Sequence, residues 1–358
     1  MSSGEYSRRS QHCIISIIVL ALATIAGYFF IKSSDNIIQS KQHSDLVSAG
    51  LPGSGSSTLK SPSSHLLEKV ETRNIMPEIA PALFVSHGGG PLPLLNVPDH
   101  KDLVDFLGKH GSSLLNLNGP NKPKALVVVT AHWETAIPAV STRTTSELLF
   151  DYYGFPKETY QYTYKAEGSV QVAELVAGAI KKGGFSNVTL DSKRGWDHGV
   201  FVPLKVIAPG GLDIPLIMIS VLKSQNPTEL LKLGRALAPL REQGIAFLGS
   251  GTTFHNFDGL LAPPPTKQKF YAVAEKFEQH MNQVLTADRE GSDEEQRDSR
   301  LSLLEKWQSW PGASAVQPVG AQDHFSPLVV LAGTLLSKKA TRAKYLDLSG
   351  LPASIWSF

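Results

Sequence analysis

Residues 125–134 read ALVVVTAHWE, and the reading of this stretch decides the fold. Its first half is apolar and rich in valine, the composition of a strand buried on both faces. The run then passes through Thr130 and Ala131 to His132, Trp133 and Glu134. An imidazole at the end of a strand built for burial is notable, because this side chain titrates near neutrality and ligates metals, but one such histidine decides little without others.

Working outward, PALFVS (81–86), IPLIMISV (214–221) and IAFLGSG (245–251) match the length and character of KALVVVTA (124–131). Gly, Ser or Thr stops each one, so all four predict strands. Helical patterns lie between them. In 226–243, Asn226 suits a cap, Pro227 the first helical position and Glu229 a capping-box spacing, with leucines at 230, 233, 237 and 240. Residues 266–286 place Phe270, Val273, Phe277, Met281 and Val284 on one face. Further helices are predicted over 293–308 and 326–339. Strands alternating with helices predict one α/β domain, residues 77–358, around a mostly parallel central sheet with flanking helices.

The chain ahead of it reads differently. Arg8 and Arg9 precede CIISIIVLALATIAGYFFI (13–31), nineteen uncharged residues closed by Lys32. That length predicts an N-terminal transmembrane helix, an uncleaved anchor within residues 1–32, and hence a single-pass membrane protein. Basic residues on both sides leave its orientation open. Residues 33–76 are polar and serine-rich, as in LPGSGSSTLKSPSSH, and predict a disordered tether. A net charge of +2 without a Lys/Arg stripe argues against nucleic acid as a partner. The lone cysteine, Cys13, excludes a disulfide framework and a thiolate metal cage.

The eleven histidines fall into two groups. His12, His43 and His65 lie in the anchor flank and tether, while His100, His110 and His280 sit among polar neighbours and read as solvated. The other five each follow an apolar run or adjoin glycine: His87 in FVSHGGGP, His132 in VVTAHWE, His198 in GWDHGVF, His255 in GSGTTFHNF and His324 in QDHFSPL. His87, His132 and His255 follow strands. If those strands are parallel, the three imidazoles share the crevice beyond the carboxyl edge, where α/β sheets bind ligands. Any one alone is more simply a hydrogen-bonded rim residue. Five together point to a metal.

These blocks, in this order, resemble the class III extradiol ring-cleavage dioxygenases of the LigB superfamily, and most nearly the 4,5-DOPA extradiol dioxygenase branch. FDYYGFPKETYQYTY (150–164) resembles an aromatic loop of the same group. The resemblance covers roughly 80–358. It implies a metal-dependent oxidoreductase that adds both atoms of O2 to a catechol, DOPA-like, and opens the ring to a muconic semialdehyde. It implies one Fe(II) or Zn(II) on His87, His132 and His324. It further implies that His255 is an acid–base group able to reach the metal, and that His198 contacts substrate oxygen. His324 stands where other LigB-type enzymes carry a carboxylate. Asp197 and Asp323 are expected to orient ring N–H groups. The same histidines also suit a zinc hydrolase, although no HExxH helix is present, or a non-catalytic membrane-anchored metal-binding protein.

Overall fold

Eight strands form one sheet in the computed structural model, which describes residues 79–337 and 339–358. They are β1 (Ala82–Ser86), β2 (Ala125–Thr135), β3 (Ala139–Ser141), β4 (Thr189–Asp191), β5 (Leu216–Leu222), β6 (Ile245–Gly251), β7 (Thr341–Leu348) and β8 (Leu351–Ser357). Their order is β4-β3-β5-β2-β6-β1-β8-β7. The four expected strands are the central ones, β5-β2-β6-β1, and all are parallel. Their carboxyl ends therefore share one edge. The outer pairs join antiparallel, β3 to β5 and β8 to β1.

Side chains alternate along each central strand, and both faces are covered. Phe84, Val127, Val129 and Phe247 face one layer, which holds Val176 of α2 (Val170–Lys182), Leu230 of α4 (Pro227–Leu237), Phe277 of α5 (Pro264–Thr286), Leu301 of α6 (Asp293–Leu304) and Val329 of α7 (Ser326–Gly333). Leu83, Val85, Leu126, Val128 and Leu248 face the other, with Leu107 of α1 (Lys101–Leu114) and Phe201 of α3 (His198–Ile207). Burial on two faces is why these strands read as continuous apolar runs.

The helices depart from expectation at their ends. Asn226 does cap α4, its side chain accepting from the N–H groups of Thr228 and Glu229. The Glu229 carboxylate does not close a capping box; it accepts the Ser224 hydroxyl at 2.6 Å. Pro239 then starts a separate turn, since its ring cannot continue α4. The helix expected over 326–339 stops at Gly333, and the one over 293–308 stops at Leu304, ahead of a 3-10 turn at Trp307–Ser309.

The membrane expectation is corrected. The apolar run 13–31 and the tether 33–76 lie outside the described residues. Among the described residues, no helix is long and apolar enough to cross a membrane. Even α5, at 23 residues, is interrupted by Lys267, Lys269, Glu275, Lys276 and Glu278. A nineteen-residue apolar run meets a length requirement for spanning, but length alone does not establish a span. Among the described residues the architecture is thus the α/β domain alone, and neither the transmembrane helix nor a single-pass localisation is assigned.

One contact couples the core to the carboxyl edge. A Cβ on Gly234 of α4 would stand 2.0 Å from the Val330 carbonyl oxygen and 2.7 Å from the Gly333 Cα, so α4 and α7 touch backbone to backbone. α7 begins two residues after His324. We predict that Gly234→Ala, by forcing these helices apart, destabilises the fold by about 1–3 kcal/mol. Thermal unfolding of the two proteins would show it, and equal melting temperatures would contradict the close packing.

Candidate metal centre

Each of the five singled-out histidines reaches the carboxyl edge by a different local device. His87 is the residue after β1, its N–H donating to the Gly251 carbonyl at 3.2 Å. His132 lies within β2, where the pairing with β5 slips between Thr130 and Glu134. That irregularity re-aims the side chain, as β-bulges do beside active sites. The Thr130 hydroxyl accepts the His132 N–H at 3.2 Å. His198 is the first residue of α3. His255 follows β6, its N–H bonded to the Val316 carbonyl at 2.8 Å. His324 precedes α7, and its carbonyl accepts the Thr252 N–H at 2.9 Å. A Cβ at Gly251 would lie 2.1 Å from that carbonyl oxygen, so only glycine lets β6 pass so close.

The five rings form one connected cluster, in which His87, His132 and His324 are mutually adjacent. Ring centroids are 3.9 Å apart for His198 and His132, 4.8 Å for His132 and His87, and 5.0 Å for His87 and His324. His255 stacks on His324 at 3.5 Å with an 18° tilt. Donor atoms of His87, His132 and His324 lie within 4.8 Å of one another. His255 and His324 group in the same way with Asp323, and His132 and His198 with Asp151.

The partners behind the rings decide where the ring protons sit. The Ser250 hydroxyl donates to the Gly199 carbonyl, so its oxygen is left to accept from His87 Nδ1–H at 3.0 Å. Asp323 Oδ2 takes His324 Nδ1–H at 2.9 Å, and Asp151 Oδ1 takes His198 Nδ1–H at 2.7 Å. Asp151 Oδ2 faces His132 Nδ1 at 3.5 Å. These acceptors assign the Nδ1 proton of His87, His324 and His198, and the Asp151 carboxylate favours the same tautomer for His132.

Burial keeps the inner rings neutral. His87 and His132 are both held well below the ordinary imidazole value, by burial first and by their fellow histidines second. Burial likewise pushes His255 down to about 3, with His324 adding to the effect and Asp323 opposing it. Burial alone would raise Asp323, yet its contacts with His324 and His255 hold it well below the usual carboxylate range.

The donor set fits a cation. His132 Nε2 and His87 Nε2 stand 3.1 Å apart, and on this assignment neither has a proton to share. Two lone pairs that close repel unless a cation lies between them. Two imidazole nitrogens on one ion, each about 2.0–2.1 Å from it, stand about 3.0–3.4 Å apart. A further buried polar atom, His255 Nδ1, has no hydrogen-bond partner and lies 3.8 Å from Asp323 Oδ1.

Several supporting residues were not visible in the sequence. Asp323 does orient a ring, but Asp197 does not. Its carboxylate accepts the Thr130 hydroxyl at 2.9 Å and Arg194 at 3.1 Å. Asp151 does that work from within the aromatic loop, one residue before Tyr152, whose ring meets His198 edge-on at 5.8 Å. Behind His255, the Thr253 hydroxyl donates to the buried Glu278, which also accepts from Ser354 at 2.5 Å. His100, read as solvated, is buried; its Nε2 accepts the Gly89 N–H at 3.1 Å and props the HGGGP turn.

A mixed α/β sheet with a histidine-lined centre at its carboxyl edge defines a class of enzyme scaffold, and the similarity to known proteins places the chain within it. Residues 81–358 match the family described as the catalytic LigB subunit of aromatic ring-opening dioxygenase, and the chain belongs to that family. It is a class III extradiol dioxygenase, an oxidoreductase that cleaves an aromatic ring. It is 38% identical to the dioxygenase tasH of Hapsidospora irregularis over 273 residues, covering 74% of this chain and 81% of that one. To the 4,5-DOPA dioxygenase extradiol of Beta vulgaris it is 33% identical over 257 residues, covering 71% and 87%. A crystal structure of an uncharacterized protein from Escherichia coli K12 shares the fold, with a TM-score of 0.58 and 24% identity over 78% of this chain and 99% of that one. Family membership sets aside the hydrolase and non-catalytic alternatives.

His100 yields a pH prediction. Burial lowers it from 6.5 to about 4, with Asp99 opposing. The unfolded chain therefore takes up this proton before the folded one does, and stability is lost as pH falls from about 6.5 toward 4. The loss amounts to about 1.4 kcal/mol per pH unit at most. His100→Gln, which cannot take up a proton, should flatten that part of the curve for the metal-free protein. Parallel unfolding curves for the two proteins from pH 7 to 4 would contradict it.

Proposed function

We propose that the enzyme cleaves a DOPA-like catechol with O2 in the extradiol position, giving a muconic semialdehyde. One divalent ion, Fe(II) or Zn(II), would sit on His87, His132 and His324, with His255 able to join. The observation that carries this reading is that His132 Nε2 and His87 Nε2 stand 3.1 Å apart, the spacing of two ligands on one ion. The names of the relatives from Beta vulgaris and Hapsidospora irregularis, a 4,5-DOPA dioxygenase extradiol and a dioxygenase, agree with it.

When bound, the ion supplies Lewis acidity to the catechol oxygens and a means of activating O2. The protein does the rest. His87 and His324, held from behind by Ser250 and Asp323, keep their Nε2 atoms fixed without rearrangement during turnover. An all-imidazole set is neutral, so it leaves the ion's full charge to act on substrate, and it suits both candidate metals.

Two further histidines have separate roles: His198 chiefly stabilises bound catecholate, and His255 moves protons during turnover. His198, held at Nδ1 by Asp151, can keep at Nε2 the proton that the catechol hydroxyl loses, and as a cation offset by Asp151 it stabilises the catecholate oxygen. His255 moves the protons needed later in ring opening. When its ring becomes cationic, Asp323 Oδ1 lies 3.8 Å from Nδ1 to offset that charge. Phe150, Tyr152 and Tyr160 pack edge to face around Phe201 and His198 and wall this side with aromatic surface.

Anaerobic loading with Fe(II), then oxygen uptake and a yellow semialdehyde on adding a catechol, tests the activity. No oxygen uptake with either Fe(II) or Zn(II) would overturn it. Substitution tests the roles. His87→Ala and His132→Ala should abolish stoichiometric metal while the fold persists; retention of a full complement by both would remove them as ligands. His255→Gln should lower kcat by about a hundred- to ten-thousand-fold. His198→Ala should keep its metal and raise the KM for catechol, and loss of metal there would place it among the ligands instead.

A further inference from the structure

We propose that Asp151 is a positioning residue that sets the proton arrangement of two site histidines at once, so that His132 and His198 both present bare Nε2 atoms to the same centre. The inference rests on the metal centre proposed above. A carboxylate is an acceptor only, so a ring nitrogen facing it is stabilised as N–H and not as a lone pair. Asp151 Oδ1 accepts twice from His198, from its backbone N–H at 3.0 Å and from its ring Nδ1–H at 2.7 Å. Oδ2 faces His132 Nδ1 at 3.5 Å. The two rings are 3.9 Å apart, which is why one carboxylate serves both.

The carboxylate is itself held by the segment it serves. Asp151 N–H donates to the Leu149 carbonyl at 3.1 Å, and Leu149 N–H donates to the Trp196 carbonyl at 2.7 Å, two residues before His198. Leu148 and Trp196 form a parallel bridge beside it. The next residue, Tyr152, packs on His198 and ties its hydroxyl to the Thr159 carbonyl at 2.7 Å. The aromatic loop over 150–164 thus places an acid behind the imidazoles as well as a wall in front of them. Any change in that loop is felt by a proposed ligand and by a substrate-facing histidine together.

Replacing Asp151 by asparagine and by alanine separates this role from simple space filling. Asn is the same shape, and its oxygen can still serve the His198 N–H groups. Its amide nitrogen then points a donor at His132 Nδ1. That ring must shed its Nδ1 proton and carry one at Nε2, where the ion needs a lone pair. Ala removes the acceptor without inserting a donor, and water can take its place.

We would titrate full-length, metal-stripped protein with Zn(II) against a chelator, and record side-chain 15N shifts of His132 and His198. Melting of the metal-free forms serves as the check on folding. Asp151→Asn should bind Zn(II) about ten- to a hundred-fold more weakly than wild type, the range typical for partners behind metal-ligating histidines. Asp151→Ala should be less impaired than Asn, and wild-type His132 and His198 should both show protonated Nδ1. Equal affinity of Asn and wild type, a larger loss for Ala than for Asn, or protonated Nε2 in the wild type would each overturn the role of Asp151. Wild-type protein that binds no stoichiometric Zn(II) would remove the metal centre itself, an outcome distinct from these.

Discussion

Two buried imidazole nitrogens, on His132 and His87, held 3.1 Å apart are the constraint around which this domain is built. Burial keeps both rings from charging, so the fold can hold them this close. It does so with the most rigid material available, the parallel centre of a sheet whose strands are buried on both faces. His87 leaves the end of β1, while His132 is turned inward by a slip in β2. β6 runs between β1 and β2 and brings Ser250 to His87 Nδ1.

The arrangement separates its polar groups by kind. Nitrogen lone pairs face inward, and the acceptors Asp151, Asp323 and Ser250 stand behind the rings. A carboxylate turned inward would offset part of an ion's charge; turned outward, it fixes ring protons and leaves that charge for the substrate. The same logic separates His198 from His255. His198 stands beside His132 with Asp151, and His255 stacks on His324 with Asp323 nearby.

The central strands were legible because double burial writes itself as unbroken apolar runs, and the five histidines because each ended a run or adjoined glycine. The outer strands were less so. β3 and β4 are three residues each, and β7 buries only Leu346 and Leu348, so none carries a long apolar signature. Asp151 could not be found by spacing, since it lies 19 residues from His132 and 47 from His198 and meets them only through the bridge at Trp196. Asp197 was misread for the opposite reason: adjacency to His198 put it beside the ring in sequence, but the turn into α3 sends its carboxylate to Thr130 and Arg194. His100 looked solvated among polar neighbours because nothing local shows the glycine turn folding over it. The apolar run over 13–31 satisfied a length criterion, and that criterion carries no information about what surrounds the segment.

X-ray absorption on the protein loaded with one equivalent of Fe(II) or Zn(II) tests the geometry most directly. Inward Nε2 atoms predict at least three imidazole nitrogens at about 2.0–2.1 Å from the ion. A coordination sphere of oxygen alone, or of a single histidine, would contradict it.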